Sequence, residues 1–205
     1  MCEIKPGYDR VTEVIGVFSG LDKIDKDVLA TAAARGTATH KIIDCLVGHI
    51  PLFPDEYDEL FSYCRNPEHK EKEEQKVQIM IDSYKIWAEG KKWLPKPDRF
   101  YCDIFKITGE CDQIYKDANG QIALVDFKTP AKESKTWFLQ ASAYKWLASA
   151  NGLKIDRLEF VKLSKVGYKP QVFIYEENFE LFISVLETFR YFYKDQSFPE
   201  DLDFI

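Results

Sequence analysis

Long apolar runs are missing from this 205-residue chain; the longest are far too short for a bilayer-spanning helix, so no membrane association is expected. The opening Met1-Cys2-Glu3-Ile4-Lys5 has no apolar core behind it, which argues against a secretory signal. Cysteines are few and odd in number (Cys2, Cys45, Cys64, Cys102 and Cys111), and none forms a Cys-x-x-Cys pair. That excludes both a disulfide framework and a zinc knuckle and points to a reducing, cytoplasmic compartment. A basic excess is also missing: the net charge is −6, which taken whole argues against a polyanionic partner. Its distribution qualifies that, because residues 128–170 hold nine Lys and Arg against three Asp and Glu. Local potential, not net charge, steers a polyanion.

What remains is an ordinary globular composition, 45% hydrophobic and 15% aromatic. A chain of this length can bury one good core, so residues 1–205 are expected to form a single domain. Residues 1–95 read as mainly helical and residues 96–205 as a sheet core with helices. No internal repeat or low-complexity tract is visible.

The informative stretch runs from Thr108 to Tyr144. Two alternating segments, Ile107 to Tyr115 and Gln121 to Lys128, flank Asp117-Ala118-Asn119-Gly120. Asn-Gly between such segments signals a hairpin, since both residues tolerate positive φ. Alternation puts Ile122, Leu124, Asp126 and Lys128 on one face and Ala123, Val125 and Phe127 on the other. Counting back from the turn sets Asp112 opposite Asp126, or within a residue of it. Two carboxylates ~5 Å apart at an effective dielectric of ~20 repel by roughly 3 kcal/mol, so a positive partner is required. Lys128 is one candidate for it and a divalent cation the other.

Residues 8–20 are β-branched and end in Ser-Gly, predicting a brief strand or an extended entry. Lys26 to Gly48 predicts a long helix capped by Asp25, its apolar stripe including Gly36, His40 and Ile43. A glycine there implies close packing. Read alone, His40 is more often a core histidine with a backbone partner than a ligand. The charge-rich Asp55–Lys76 stretch predicts a solvated helix face or a mobile connection, and Val77 to Glu89 a packing helix. Arg99 to Ile107 reads as a strand leading into the hairpin. Ser134 is placed to cap a helix from Lys135 to Ala150, on which Gln140 and Tyr144 point the same way. Leu158–Leu163 and Gln171–Tyr175 predict strands, Glu177–Tyr193 a last amphipathic helix, and Pro199–Ile205 an acidic surface tail. This order implies a layered α/β or α+β fold with a mixed central sheet flanked by helices.

Two carboxylates on neighbouring strands can share a hard cation, and oxygen ligands suit Mg²⁺ or Mn²⁺ better than zinc. Such an ion polarises a phosphoryl oxygen and lowers the pKa of a bound water. Lys128 can orient or deprotonate that water, or stabilise developing charge, and an imidazole from a packed helix could complete the shell. Asp-x-Lys alone carries almost no information, and Gln-x-x-x-Tyr alone is usually helix packing. The ordered combination is what points to phosphodiester hydrolysis.

Four motifs in this order, Arg35-Gly-Thr-Ala-Thr-His-Lys41, Gly109-Glu-Cys-Asp112, Val125-Asp-Phe-Lys-Thr129 and Gln140-Ala-Ser-Ala-Tyr144, span about half the chain. In them the sequence resembles the PD-(D/E)XK nuclease superfamily, within the branch of RecB-type domains, lambda-type phage exonucleases and the mitochondrial genome maintenance exonuclease. The resemblance implies a restriction-endonuclease-like fold and a Mg²⁺- or Mn²⁺-dependent deoxyribonuclease, an exonuclease serving recombination, repair or phage DNA processing. It implies His40, Asp112, Asp126 and the Phe127 carbonyl as metal ligands and Lys128 as the catalytic lysine. Gln140 and Tyr144 would support the site and contact DNA near the scissile phosphate. Lys132, Lys135 and Lys145, on or beside the same helix, are candidate phosphate contacts. A recombination or single-strand-binding protein is a further partner that such a resemblance suggests, in a bacterial cytoplasm or a phage-infected host. Cys111 stands where the family often has proline. No cysteine follows it, so no iron–sulfur cluster is expected. Glu110 is a possible extra ligand on the face of Asp112. The rival reading is a non-catalytic module of the same fold that binds DNA ends or a partner.

Overall fold

A computed structural model describes residues 4–130, 132–167 and 169–194. The segment 199–205 expected to form an acidic tail lies outside the described residues. A five-stranded mixed sheet carries the architecture, in the order β2 (Lys92–Trp93), β5 (Gln113–Lys116), β6 (Ile122–Lys128), β7 (Arg157–Lys162) and β8 (Gln171–Tyr175). A smaller sheet joins β1 (Asp9–Arg10), β4 (Ile107–Gly109) and β3 (Phe100–Cys102). Among the described residues six α-helices flank them: α1 (Val11–Gly16), α2 (Lys26–Gly48), α3 (Pro54–Glu59), α4 (Pro67–Ala88), α5 (Thr136–Ala150) and α6 (Phe179–Phe189).

Strand β6 is the centre, buried on both faces as its near-continuous apolar run requires. The expected alternation holds. Ala123, Val125 and Phe127 enter a core with Ile43 of α2 and Met80, Tyr84 and Trp87 of α4. Leu124 enters the opposite core with Ala141 and Leu147 of α5 and Phe182 and Leu186 of α6. β6 runs parallel to β7, with α5 as the crossover between them.

Several local expectations are met at the atomic level. Asp25 caps α2, its Oδ1 accepting from the amides of Asp27 and Val28 at 3.0 and 3.1 Å. A Cβ added at Gly36 would stand 3.2 Å from Thr129 Oγ1, so α2 lies close against the chain leaving β6. Ser134 is not the cap of α5, which begins one residue later than expected with Lys135 at its N-cap, though Ser134 Oγ still accepts from the Thr136 amide at 3.2 Å.

Others are corrected. Within residues 8–20 the brief strand is confined to Asp9–Arg10, and residues 11–16 form a helix: Val11, Val14 and Ile15 are buried at three- and four-residue spacing, and that period overrides their β-branched shape. The helix expected from Val77 begins at Pro67 instead, and the charge-rich run is, as expected, the largely solvated face of its first three turns, capped by Asn66 Oδ1 and stapled by pairs such as Lys72–Glu68 at 2.7 Å. Residues 107–115 are not one strand, since β4 and β5 belong to different sheets and Glu110-Cys111-Asp112 passes between them. Residues 99–107 likewise fold back as the β3–β4 hairpin. In the β5–β6 turn Gly120 alone has positive φ, at 84°, and Asp117 Oδ1 accepts from the amides of Asn119 and Gln121. A five-residue connection thus replaces the tight Asn-Gly turn. Tyr193 is exposed, so the last helix buries Phe182, Ile183, Leu186 and Phe189.

Between α2 and α4, Glu73 is 1% exposed and accepts from Arg35 Nε (2.6 Å) and Nη2 (3.1 Å), Lys76 Nζ (2.7 Å) and Tyr63 Oη (3.2 Å). Burial pushes its carboxyl up, but Arg35 and Lys76 outweigh burial and hold it at about 2. Its ordinary value is near 4.5, so this stabilisation is complete above that pH and is lost as pH falls toward 2. Glu73→Ala leaves Arg35 a poorly solvated cation without its partner. An expected cost of about 3 kcal/mol, read as a lowered midpoint in urea denaturation at pH 7, should largely vanish when wild type and variant are compared near pH 2.5.

Candidate active site

The ladder pairs Gln113 with Val125, so the next residue on each strand brings Asp112 beside Asp126 at the carboxyl end of β6. Both carboxylates line a cleft of about 410 Å³ together with His40, Phe127, Lys128, Gln140 and Tyr144. Three elements deliver these groups. The β5–β6 pair supplies the acids and Lys128, α5 brings Gln140 and Tyr144 from one side of the sheet, and α2 brings His40 from the other. The Phe127 ring, packed edge-on against Tyr84 and Trp87, pins this end of β6 to α4.

The polar contacts form two linked groups. His40 Nδ1 lies 2.9 Å from Asp112 Oδ1, and the Phe127 amide donates to Asp112 Oδ2. Lys128 Nζ sits 2.6 Å from Asp126 Oδ2 and donates to Gln140 Oε1 at 2.7 Å. Gln140 Nε2 donates to Asp126 Oδ1 at 3.0 Å and to Tyr144 Oη at 2.8 Å. The amide of Gln140 thus braces acid, ammonium and phenol at once. Lys128 Nζ is also 4.9 Å from the Phe160 ring centroid, a weaker cation–π contact.

Burial and charge pull the ionisable groups apart. Burial lowers the His40 pKa, but the Asp112 charge and hydrogen bond more than reverse this, raising it to about 9. Burial raises Asp112, yet His40 and the Phe127 amide hold it below its ordinary value. For Asp126 burial dominates, with Lys128 opposing and Asp112 adding, and its pKa rises to about 6. Burial also drives Tyr144 well above 10. Neighbouring carboxylates with opposite shifts mark a functional-site candidate.

Among the described residues, no three or more His, Cys, Asp or Glu side chains converge on one point as the ligands of a single ion would. The acids are engaged pairwise, one by His40 and the other by Lys128. In donor chemistry the set still fits a hard divalent cation: four carboxylate oxygens, a backbone carbonyl and one imidazole at one cleft.

Not every expected residue is here. Lys132 is exposed and not part of the cleft lining. Lys135 lines a different hollow with Phe138 and Leu181, and Lys145 pairs with Glu177 at 3.1 Å. Conversely Arg10, Thr12, Arg99 and Thr108 line the cleft and were not anticipated. Arg99 pairs with Glu110, which gives that acid a partner other than a metal, while Arg99 Nε is buried with no hydrogen-bond partner among the described residues. An isolated arginine before a strand has no periodicity or motif to reveal it. The smaller sheet brings these residues to the cleft.

Comparison with known proteins follows the same lines. A family model described as the PD-(D/E)XK nuclease superfamily matches residues 17–188. Among solved structures, a candidate exonuclease from Eubacterium rectale is similar at 14% identity, with a TM-score of 0.53 over 92% of this chain and 84% of that one. At that identity the likeness shows fold alone. A second, SSO0001, is 10% identical over 97% of this chain and 81% of its own, with a TM-score of 0.43. No protein of curated function matches.

Proposed function

The chain belongs to the PD-(D/E)XK nuclease superfamily, and from that premise we propose that it is a divalent-metal-dependent deoxyribonuclease acting as an exonuclease. One observation carries the reading: Lys128, Asp126 and Gln140 are locked together at the end of β6, within the same cleft as Asp112 and His40.

Asp112, Asp126, His40 and the Phe127 carbonyl would hold Mg²⁺ or Mn²⁺, which when bound supplies polarisation of a phosphoryl oxygen and a more acidic water. Lys128 presents its ammonium where charge develops on the phosphate and orients the attacking water. Gln140 is a positioning residue. By accepting from Lys128 and donating to Asp126 it fixes both rotamers, and Tyr144 fixes Gln140 in turn. The exonuclease preference draws on the name of the E. rectale neighbour and on the resemblance to RecB-type domains.

The test uses end-labelled linear DNA and a covalently closed circle, each with Mg²⁺, Mn²⁺ or EDTA. Linear DNA should be degraded from its ends only with metal, while the circle survives. Cutting of the circle would remove the exonuclease assignment, and no cutting of either would remove the nuclease. Lys128→Ala should lower turnover on linear DNA by about 10²-fold or more.

A further inference from the structure

A second and larger hollow, of about 970 Å³, lies beside the cleft and shares two of its walls, Thr129 and Pro130. One side is aliphatic: Ile24 and Val28 are 42% and 60% exposed, and Leu29 adds to it. Facing it are Arg35, Lys76 and Lys165. The acid among these cations is Glu73, whose two oxygens already accept four hydrogen bonds from Arg35, Lys76 and Tyr63. Asp27, on the lining, is paired with Arg65 at 2.7 Å. Among the described residues, no carboxylate lies within ion-pair distance of Lys165. The β7–β8 connection that carries it is fixed to α4, since the Ser164 amide donates to Ser83 Oγ at 3.0 Å. Burial, then Arg35 and Lys76, push the Lys165 ammonium below its ordinary pKa, as expected for a cation cluster short of an anion.

We propose that this groove holds an unpaired DNA strand next to the scissile bond, with a backbone phosphate at Lys165, Arg35 and Lys76 and base faces against the Ile24–Val28 wall. The proposal rests on the nuclease reading and deepens it. Continuity through Thr129 and Pro130 lets one strand occupy both hollows, and the uncompensated positive charge matches its phosphates. Duplex DNA keeps its base faces stacked inside, so it would bring nothing to bury against an aliphatic wall. An unpaired strand does.

Binding is read in EDTA, so that no cleavage intervenes, as fluorescence anisotropy of labelled (dT)₁₂ on the full chain. Lys165→Ala should weaken binding by about fivefold near 0.1 M salt and reduce the log–log salt slope by roughly 0.7, one phosphate contact on a single strand. Val28→Glu, at an exposed helix position, should weaken it comparably, with melting curves reporting that both variants are folded. A blunt duplex of equal length should bind the wild type more weakly. Wild-type affinity in both variants, or equal affinity for the duplex, overturns the groove. Hydrolysis of bis(4-nitrophenyl) phosphate by the wild type with Mn²⁺ reports the catalytic cleft separately. Strand binding that responds to both variants without diester hydrolysis would sink the nuclease reading and keep the groove; hydrolysis with unresponsive binding would do the reverse.

Discussion

Asp126→Asn should lower metal-dependent turnover of linear DNA by about 10³-fold or more, equivalent to roughly 4 kcal/mol of transition-state stabilisation. The substitution keeps shape but removes the charge that faces Lys128 at 2.6 Å and the proposed cation. It also carries a structural cost, because Lys128, with a side chain only 15% exposed, would keep its charge without its acid. The two effects separate in the double variant Asp126→Asn/Lys128→Met. Melting temperature should recover toward the wild type as the unpaired ammonium disappears, while turnover stays lost. Recovery of both would mean that the pair is structural. Because Asp126 titrates at about 6, metal-induced stabilisation of the wild type should shrink as pH falls through that value and the carboxylate takes up its proton.

Gly109→Ala should be nearly as damaging without touching a charge. A Cβ at that position would lie 2.7 Å from Tyr144 Cε1 and 3.1 Å from Leu147 Cδ1. Tyr144 cannot swing aside cheaply: its ring is 2% exposed in the core and its hydroxyl is bound to Gln140. Overpacking of this kind costs about 2 kcal/mol, a fall in melting temperature of roughly 4–8 °C for a chain of this size. Moving Tyr144 also loosens Gln140, so residual activity should show a lower kcat with KM little changed. An unaltered melting temperature would mean that β4 and α5 are not held together as described.

The centre of the fold was legible because the physics there is local. The doubled periodicity of β6 follows from its apolar run, and the cap at Asp25 and the close approach at Gly36 follow from single residues in fixed positions. The same locality placed Asp112 and Asp126 together and Gln140 above Tyr144. What escaped was set by tertiary contacts. Residues 107–115 alternate without a break, yet the chain changes sheet within them, and no periodicity distinguishes one strand from two. Glu73 looked like another charge on a solvated face until Arg35, 38 positions away, covered it. The hollow with Lys165 has no sequence signature, since its walls come from α2, α4 and the β7–β8 connection. The basic residues on and beside α5, legible as charge in the sequence, stand outside the cleft lining.

Because the chain leaves the small sheet at Gly109 and joins the large one at Gln113, Asp112 sits on the joint between two separately hydrogen-bonded assemblies. Its distance from Asp126 is set on the large-sheet side, by the Gln113–Val125 pairing and by the Asp112 amide donating to the Val125 carbonyl at 3.1 Å, while the small sheet and its flanks supply Arg10, Arg99 and Thr108 to the same cleft. Partial denaturation that undocks the two sheets would strip that wall from the reactive centre while most backbone pairing survives, which makes catalysis a more sensitive gauge of tertiary integrity here than any helical or strand signal.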